Sequence, residues 1–264
     1  MADDHLLIKP VGDVLHLVLN RPDQLNALSP SMRDSLVEVF REQREAPPEK
    51  AARAILITGA GRAFCSGADL DPAVILERRD TIQAEMEAGI SQLVHLMRTL
   101  PVPVIAAVQG PAAGAGFSIA LCADLLLVSP SAKLIMSFSR IGAMMDGGAT
   151  HILPRKIGLA RATAMAMLAQ PVDGQQAVDL GLALKLCDDD ALQAEAEKLA
   201  QKLARGPTRA FGLIKAGLEH GQTSTLQEAL SFEAAAQQKA FASPDFEEGI
   251  AAFTEKRKPQ FSGL

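Results

Sequence analysis

Two glycine-punctuated stretches constrain this chain most: Arg62-Ala63-Phe64-Cys65-Ser66-Gly67-Ala68-Asp69-Leu70 and Gln109-Gly110-Pro111-Ala112-Ala113-Gly114-Ala115-Gly116. Each follows an apolar run with strand character, residues 54–58 and 104–108, and each turns from strand toward helix. Such a turn leaves the first helical N–H groups unpaired and pointing outward. Two turns side by side can aim two N–H groups at one carbonyl oxygen, an oxyanion hole that stabilises an enolate or a tetrahedral oxyanion. Ordinary turn chemistry accounts for either stretch alone. A phosphate cradle fits neither, because no lysine follows the glycines and Gly110, Gly114 and Gly116 lack the dinucleotide-binding spacing.

The 264 residues suffice for one large α/β domain, with 48% hydrophobic and 22% charged residues in ordinary globular proportion. A net charge of −5 with no basic, aromatic-interleaved run argues against nucleic acid as a partner. Tyrosine and tryptophan are both absent, which removes base-stacking platforms and tyrosine acid catalysis together. The start, Met1-Ala2-Asp3-Asp4-His5, is acidic and unlike a signal peptide, and no apolar run approaches a membrane span, so a cytoplasmic protein without a membrane partner is expected. Cys65, Cys122 and Cys187 are odd in number and unpaired by spacing, reading as reduced thiols and not as a disulfide frame or zinc site. Cys65 lies inside the first turn, where packing is expected over nucleophilic chemistry.

Residues 5–20 alternate about Gly12-Asp13 and predict a hairpin, with His16 a strand residue. Ser29 or Ser31 caps a helix to about Arg41. The apolar spacing of Leu76, Ile82, Met86, Ile90, Leu93, Leu96 and Met97 predicts one long helix over 75–100, broken at Pro101-Val102-Pro103, with His95 on its surface. Strands are expected at 124–128 and 133–138, then helices at 155–169, 174–181, 189–204, 207–221, 226–242 and 244–258. Strand, turn and helix recur with parallel-sheet character.

The ordered set of motifs resembles the enoyl-CoA hydratase/isomerase family, the crotonase superfamily. Asn20-Arg21-Pro22-Asp23-Gln24-Leu25-Asn26-Ala27-Leu28 resembles its N-terminal motif, residues 61–70 its first oxyanion loop, and residues 109–124 its second. Asp146-Gly147-Gly148-Ala149-Thr150 with Leu153-Pro154-Arg155 resembles its next block, and residues 246–261 its C-terminal helix. The resemblance implies an α/β fold, a crotonase-like spiral of ββα units with a helical C-terminal extension. Residues 1–200 would be the acyl-CoA-binding core and 201–264 the trimerisation region of the same unit. It further implies trimers or hexamers, an acyl-CoA thioester as substrate, and no cofactor beyond the CoA moiety. The amides of Ala68 and Ala115 would hold the thioester oxygen, while Gln24, Leu25, Ala27, Ser66, Asp69, Leu70 and Gly114 would line the CoA site. Phe253 and Lys256 of a neighbouring subunit would add contacts, although Lys256-Arg257-Lys258 equally suits a solvated helix end.

The hydratase pattern of the family uses two glutamates, and at the matching positions this chain has Ser118 and Phe138, neither of which can activate water. Asp146 remains. Between Met144-Met145 and a glycine pair it reads either as a helix cap or as a desolvated base, and the family's isomerase and dehalogenase branches place their carboxylate at this position. The dehalogenase branch leans on a tryptophan that is lacking here. One carboxylate suits proton shuttling, so double-bond or ring isomerisation is expected, closest to the branch that rearranges ring-epoxidised phenylacetyl-CoA. A hydratase with other acid/base groups, a CoA-thioester hydrolase and an acyl-CoA binder without turnover are the alternatives. His151 could share the pocket, and Met136, Phe138, Met144 and Met145 could form a pliable apolar wall or simply core.

Overall fold

The computed structural model describes residues 5–77 and 79–264; the acidic start read above, residues 1–4, lies outside them. Strands β1 (Leu6–Val11) and β2 (Val14–Leu19) form the expected hairpin, and β3 (Ala54–Gly59), β4 (Val104–Val108), β6 (Leu125–Val128) and β9 (Lys185–Leu186) extend it in parallel in the order β1-β2-β3-β4-β6-β9. A smaller sheet pairs β5 (Pro111–Ala113) with β7 (Lys133–Ile135), and β7 with β8 (Val172–Asp173).

Strand periodicity explains the layering. On one face Val14, Ala54, Leu56, Ile105 and Ala107 pack on α9 (Leu192–Ala204). On the other, Leu15, Leu17, Ile55, Ile57, Val104 and Ala106 meet the inner core. Both faces are covered, so these strands appear in the sequence as unbroken apolar runs. His16 falls on the α9 face, bonded to Thr58 Oγ1 at 2.9 Å, and burial lowers its pKa; it is a strand residue, as expected.

Single bridges of Leu28 with Ala68 and of Cys65 with Ala112 continue the small layer across the chain. Each circuit thus lays one strand in the large sheet, one in the small layer, and then a helix. The helices are α1 (Pro30–Glu45), capped by Ser29, a helical run within residues 72–99 after β3, α5 (Ala115–Cys122), and α6 (Ala149–Ile157) followed by α7 (Leu159–Leu168). This is the expected spiral of ββα units. After α8 (Gly174–Asp179) and α9 the chain is helical: α10 (Thr208–Gly221), α11 (Leu226–Phe241) and α12 (Pro244–Glu255). Lys215 on α10 donates to Met97 O and Asp124 Oδ2, both at 2.8 Å, which ties this extension to the core. No helix of the described residues is long and apolar enough to cross a membrane.

Three expectations need correction. The helix predicted over 75–100 is α2 (Pro72–Glu77) followed by a separate run, α3 (Ile82–Met86), a π-helical turn at Glu87–Ser91, and α4 (Gln92–Thr99). Apolar spacing survives one π turn and so conceals it. The helix expected at 155–169 is two, because Gly158 sits at φ 81° between α6 and α7. The strand expected at 133–138 ends at Ile135, and Phe138 belongs to a 3-10 turn, Ser137–Ile141.

Candidate functional site

The first turn is stitched to the N-terminal motif. Ser66 N–H donates to Leu25 O at 3.0 Å, Leu28 N–H to Gly67 O at 2.8 Å, and Asp69 N–H to Leu28 O at 3.1 Å. Asn26, fully buried and left-handed at φ 55°, donates from Nδ2 to the carbonyls of Ala60 and Ala63, each at 2.8 Å. Arg21 Nη1 donates to Ala27 O and to Asp69 Oδ2, both at 2.7 Å. Ser66 Oγ reaches Gln24 O at 3.3 Å. Gln24, Leu25, Ala27, Ser66, Ala68 and Asp69 are therefore brought together, and Leu70 follows with half of its surface exposed.

Gly67 decides where Ala68 points. Cys65 faces β5, giving its carbonyl to Ala113 N–H at 2.9 Å, whereas Ser66 N–H and Gly67 C=O both face residues 25–28. The glycine's φ of 107° breaks the strand alternation, so Ala68, lying between two groups bonded to Leu28, faces the other way. Its amide has no backbone acceptor among the described residues.

The second turn lies on that side. A Cβ built on Gly67 would stand 2.9 Å from Ala113 O and 3.8 Å from Ala115 N. Gly114, at φ 51° and ψ −126°, caps α5 and has no side chain to bond the first amides of that helix, Ala115 N–H foremost. Every residue of α5 is buried. Adjoining turns thus each carry an amide with no backbone acceptor among the described residues, with the positive end of a helix dipole behind one of them.

Asp146 is tied through its main chain to the same helix. Its carbonyl accepts from Ser118 Oγ at 2.9 Å, and Ser118 lies three residues along α5 from Ala115, about 4.5 Å of helix rise. The carboxylate does not cap α6: Gly148 is the N-cap, without a side-chain bond, and Asp146 contributes only its carbonyl, to Ala149 N–H at 3.1 Å. The cap reading is therefore set aside. Its Oδ1 is buried and has no hydrogen-bond partner among the described residues. Ile90 and Val94 wall the adjoining glycines. Burial alone raises the Asp146 pKa to about 6. A carboxylate so placed is ionised at neutral pH yet basic enough to take a proton.

The other candidates separate. His151 is on α6 with Nε2 3.7 Å from Glu219 Oε1, turned to α10. Burial pushes the Cys65 thiol up to about 11, which removes it as a nucleophile. Met136 is fully buried core and Met144 is mostly exposed, while Phe138 and Met145 are half-buried against the core. Phe138 carries its ring to the second turn, 3.8 Å from a Cβ built on Gly114. Phe253 is exposed on α12 and Lys256 is exposed at its C-cap, and the polar contacts of this helix run to the chain's own tail. Nothing in the single chain joins them to the two turns. A cavity of about 640 Å³ lies elsewhere, between α4, α6 and α10; of its charged lining, Arg98, Asp124, Lys215 and Glu219 are mutually paired, and Arg155 and Lys156 also line it. Arg21 and Asn26 carry much of the first turn's support. Their neighbours in the sequence hint at this, but their partners Asp69, Ala60 and Ala63 lie dozens of residues away.

Comparison with known proteins places this geometry. The family model described as enoyl-CoA hydratase/isomerase matches residues 11–263. The chain belongs to that family. It is 38% identical over 252 residues, 95% of each chain, to the 1,2-epoxyphenylacetyl-CoA isomerase of Escherichia coli (strain K12). It is 40% identical over 248 residues, 94% of this chain and 93% of the other, to the protein named "Probable enoyl-CoA hydratase" of Rhodobacter capsulatus. The enoyl-CoA hydratase/isomerase structure from Cupriavidus metallidurans CH34 superposes with a TM-score of 0.90 at 32% identity, covering 99% of this chain and 97% of the other. The protein is thus an enzyme of the enoyl-CoA hydratase/isomerase family, and an acyl-CoA thioester substrate accords with that family.

Proposed function

We propose that this enzyme isomerises acyl-CoA thioesters, with Asp146 shuttling one proton while Ala68 and Ala115 hold the thioester oxygen. The carrying observation is the half-buried carboxylate of Asp146, whose buried Oδ1 has no partner among the described residues and whose residue is held by its carbonyl to the helix that supplies Ala115. In a 3-enoyl thioester the Asp146 carboxylate takes a proton from C2, and the electron pair moves into the thioester to give a dienolate. Each amide stabilises its oxygen by about 3–4 kcal/mol. The Asp146 carboxyl then returns the proton to C4, leaving the double bond between C2 and C3. The same enolate chemistry would serve a ring substrate of the kind named for the Escherichia coli relative.

Water addition asks for a second acid/base group. The side chains nearest the second turn at the two relevant positions are the Ser118 hydroxyl, engaged with carbonyls, and the Phe138 ring. The chemistry calls for nothing beyond the CoA moiety. CoA would lie along Gln24, Leu25, Ala27, Ser66, Asp69, Leu70 and Gly114. A trimer or dimer of trimers would cover α11, a sixteen-residue helix with no buried residue, and would bring Phe253 and Lys256 to a neighbour's site.

Incubation with 3-hexenoyl-CoA and 2-hexenoyl-CoA, followed by product mass and conjugated-thioester absorbance, tests the reading. Isomerisation without mass change is expected. A gain of one water on the 2-enoyl substrate as the main reaction would establish the hydratase instead, and tight binding with no conversion of either would leave an acyl-CoA binder.

A further inference from the structure

Two consecutive carbonyls in the loop before α6 are held from one helix. Ser118 Oγ donates to Asp146 O at 2.9 Å, and Cys122 Sγ to Gly147 O at 3.4 Å. Positions 118 and 122 are one turn apart on α5 and share a face. Both side chains are fully buried. The fit leaves no slack, since a Cβ built on Gly147 would fall 2.6 Å from Ser118 Cβ.

We propose that Ser118 and Cys122 are positioning residues, a two-point clip that fixes Asp146 relative to the Ala115 amide. This rests on the reading of Asp146 as the proton carrier. The hydroxyl has a single proton and two carbonyls in reach, Asp146 O at 2.9 Å and Gly114 O at 3.3 Å. The shorter contact is the stronger, so the proton is spent on the loop and not on the back-bond within α5. Burial pushes the Cys122 thiol up to about 12, so it stays protonated and remains a donor. Amide and base therefore hang from one rigid helix, and their separation is set by its pitch. An error of about 1 Å in such a separation can cost a hundredfold in rate.

The surroundings isolate the readout. Elements against the loop present Ser118, Cys122, Ile90, Val94 and Ile152. Charges that act on the thiol, Arg98, Glu219, Lys156 and Asp124, do not act on the Asp146 carboxyl, whose shift comes from burial. Loosening the clip lets water reach that carboxyl and lowers its titration midpoint.

The test compares Ser118→Ala, Ser118→Cys and Cys122→Ala with wild type and Asp146→Asn. Its readouts are kcat and KM on 3-hexenoyl-CoA and the carbon-13 titration of the Asp146 carboxyl in the substrate-free enzyme, assigned by its loss in Asp146→Asn. Ser118→Ala is expected to lower kcat about thirtyfold with KM within about twofold. Its Asp146 midpoint should fall by about one unit toward the ordinary value. Ser118→Cys, nearly isosteric with a weaker donor, should lie between alanine and wild type, and Cys122→Ala should lose a few-fold. Should Ser118→Ala fail to fold, the other two variants give the same comparison. Unchanged kcat and midpoint in folded variants, with only a lower melting temperature, would reduce the clip to packing. Full turnover by Asp146→Asn would overturn the base reading instead, and the titration would still decide whether the clip exists.

Discussion

The two glycine turns do the same geometric job with different materials. The second is built from the inside: Gly114 opens a helix buried along its whole length, and its own N–H is held by Ile135 O at 2.9 Å. The first lies at the surface, with Ala68, Asp69 and Leu70 exposed, and is held by Arg21 and Asn26 of the N-terminal motif and by its own Ser66 hydroxyl on Gln24 O. A donor embedded in the core is fixed by packing density, and any change to it is felt by the fold. A donor at the surface is fixed by polar stitches that can be cut singly. The buried turn thus opens the helix that also holds the Asp146 carbonyl, and the surface turn is left free to meet a large, hydrated substrate.

Substitutions can break this contrast. The largest effect is expected from Asp146→Asn, which lowers kcat at least about a thousandfold with KM within about threefold, since only the proton carrier is removed. Gly114→Ala comes next. A side chain at φ 51° and ψ −126° is strained and meets Ser137 Oγ at 3.2 Å, so steady-state kinetics should show a loss of about a hundredfold in kcat. Calorimetry should show a stability loss of about 1–3 kcal/mol in the same variant.

The pH dependence of stability sharpens the account of the base. Asp146 titrates near 6 when folded and near 3.8 when exposed, so the unfolded chain loses its proton first. Stability from this group is therefore full below about pH 4, falls as pH rises to about 6, and stays lower above, by on the order of 2–3 kcal/mol. Urea unfolding at pH 7.5 should find Asp146→Asn more stable than wild type, with the gap closing toward pH 4. Activity should run oppositely, rising through pH 6 as the carboxylate forms.

The smallest effect belongs to the first turn. Arg21→Ala cuts an ion pair whose Asp69 end is 40% exposed, and the melting temperature should fall by only about 2–4 °C. KM for acyl-CoA should rise a few-fold with kcat nearly kept. A large loss of kcat with unchanged KM would show that the surface turn is as integral to the chemistry as the buried one.

Much of this was legible in the sequence because it is local. Apolar runs covered on both faces, the hairpin at Gly12-Asp13, and Ser29 ahead of a helix each announce themselves within a few residues. The ordered motifs pointed to the family and to Ala68, Ala115 and Asp146 as a set. What stayed hidden depends on distant partners or on backbone detail. A π turn at Glu87–Ser91 leaves the apolar spacing nearly intact. Asp146 reads as a helix cap until Gly148 is seen to occupy that place. Nothing near Ser118 in sequence says that its hydroxyl holds a carbonyl 28 residues away.

The central claim is that one carboxylate and two amides act on a single enolate. It is tested most directly by following α-proton exchange of saturated hexanoyl-CoA in deuterium oxide by NMR, which needs neither a double bond nor added water to register. The account predicts exchange by the wild type that rises through pH 6 and is lost in Asp146→Asn while the thioester still binds. Equal exchange by Asp146→Asn would contradict it and move the base elsewhere.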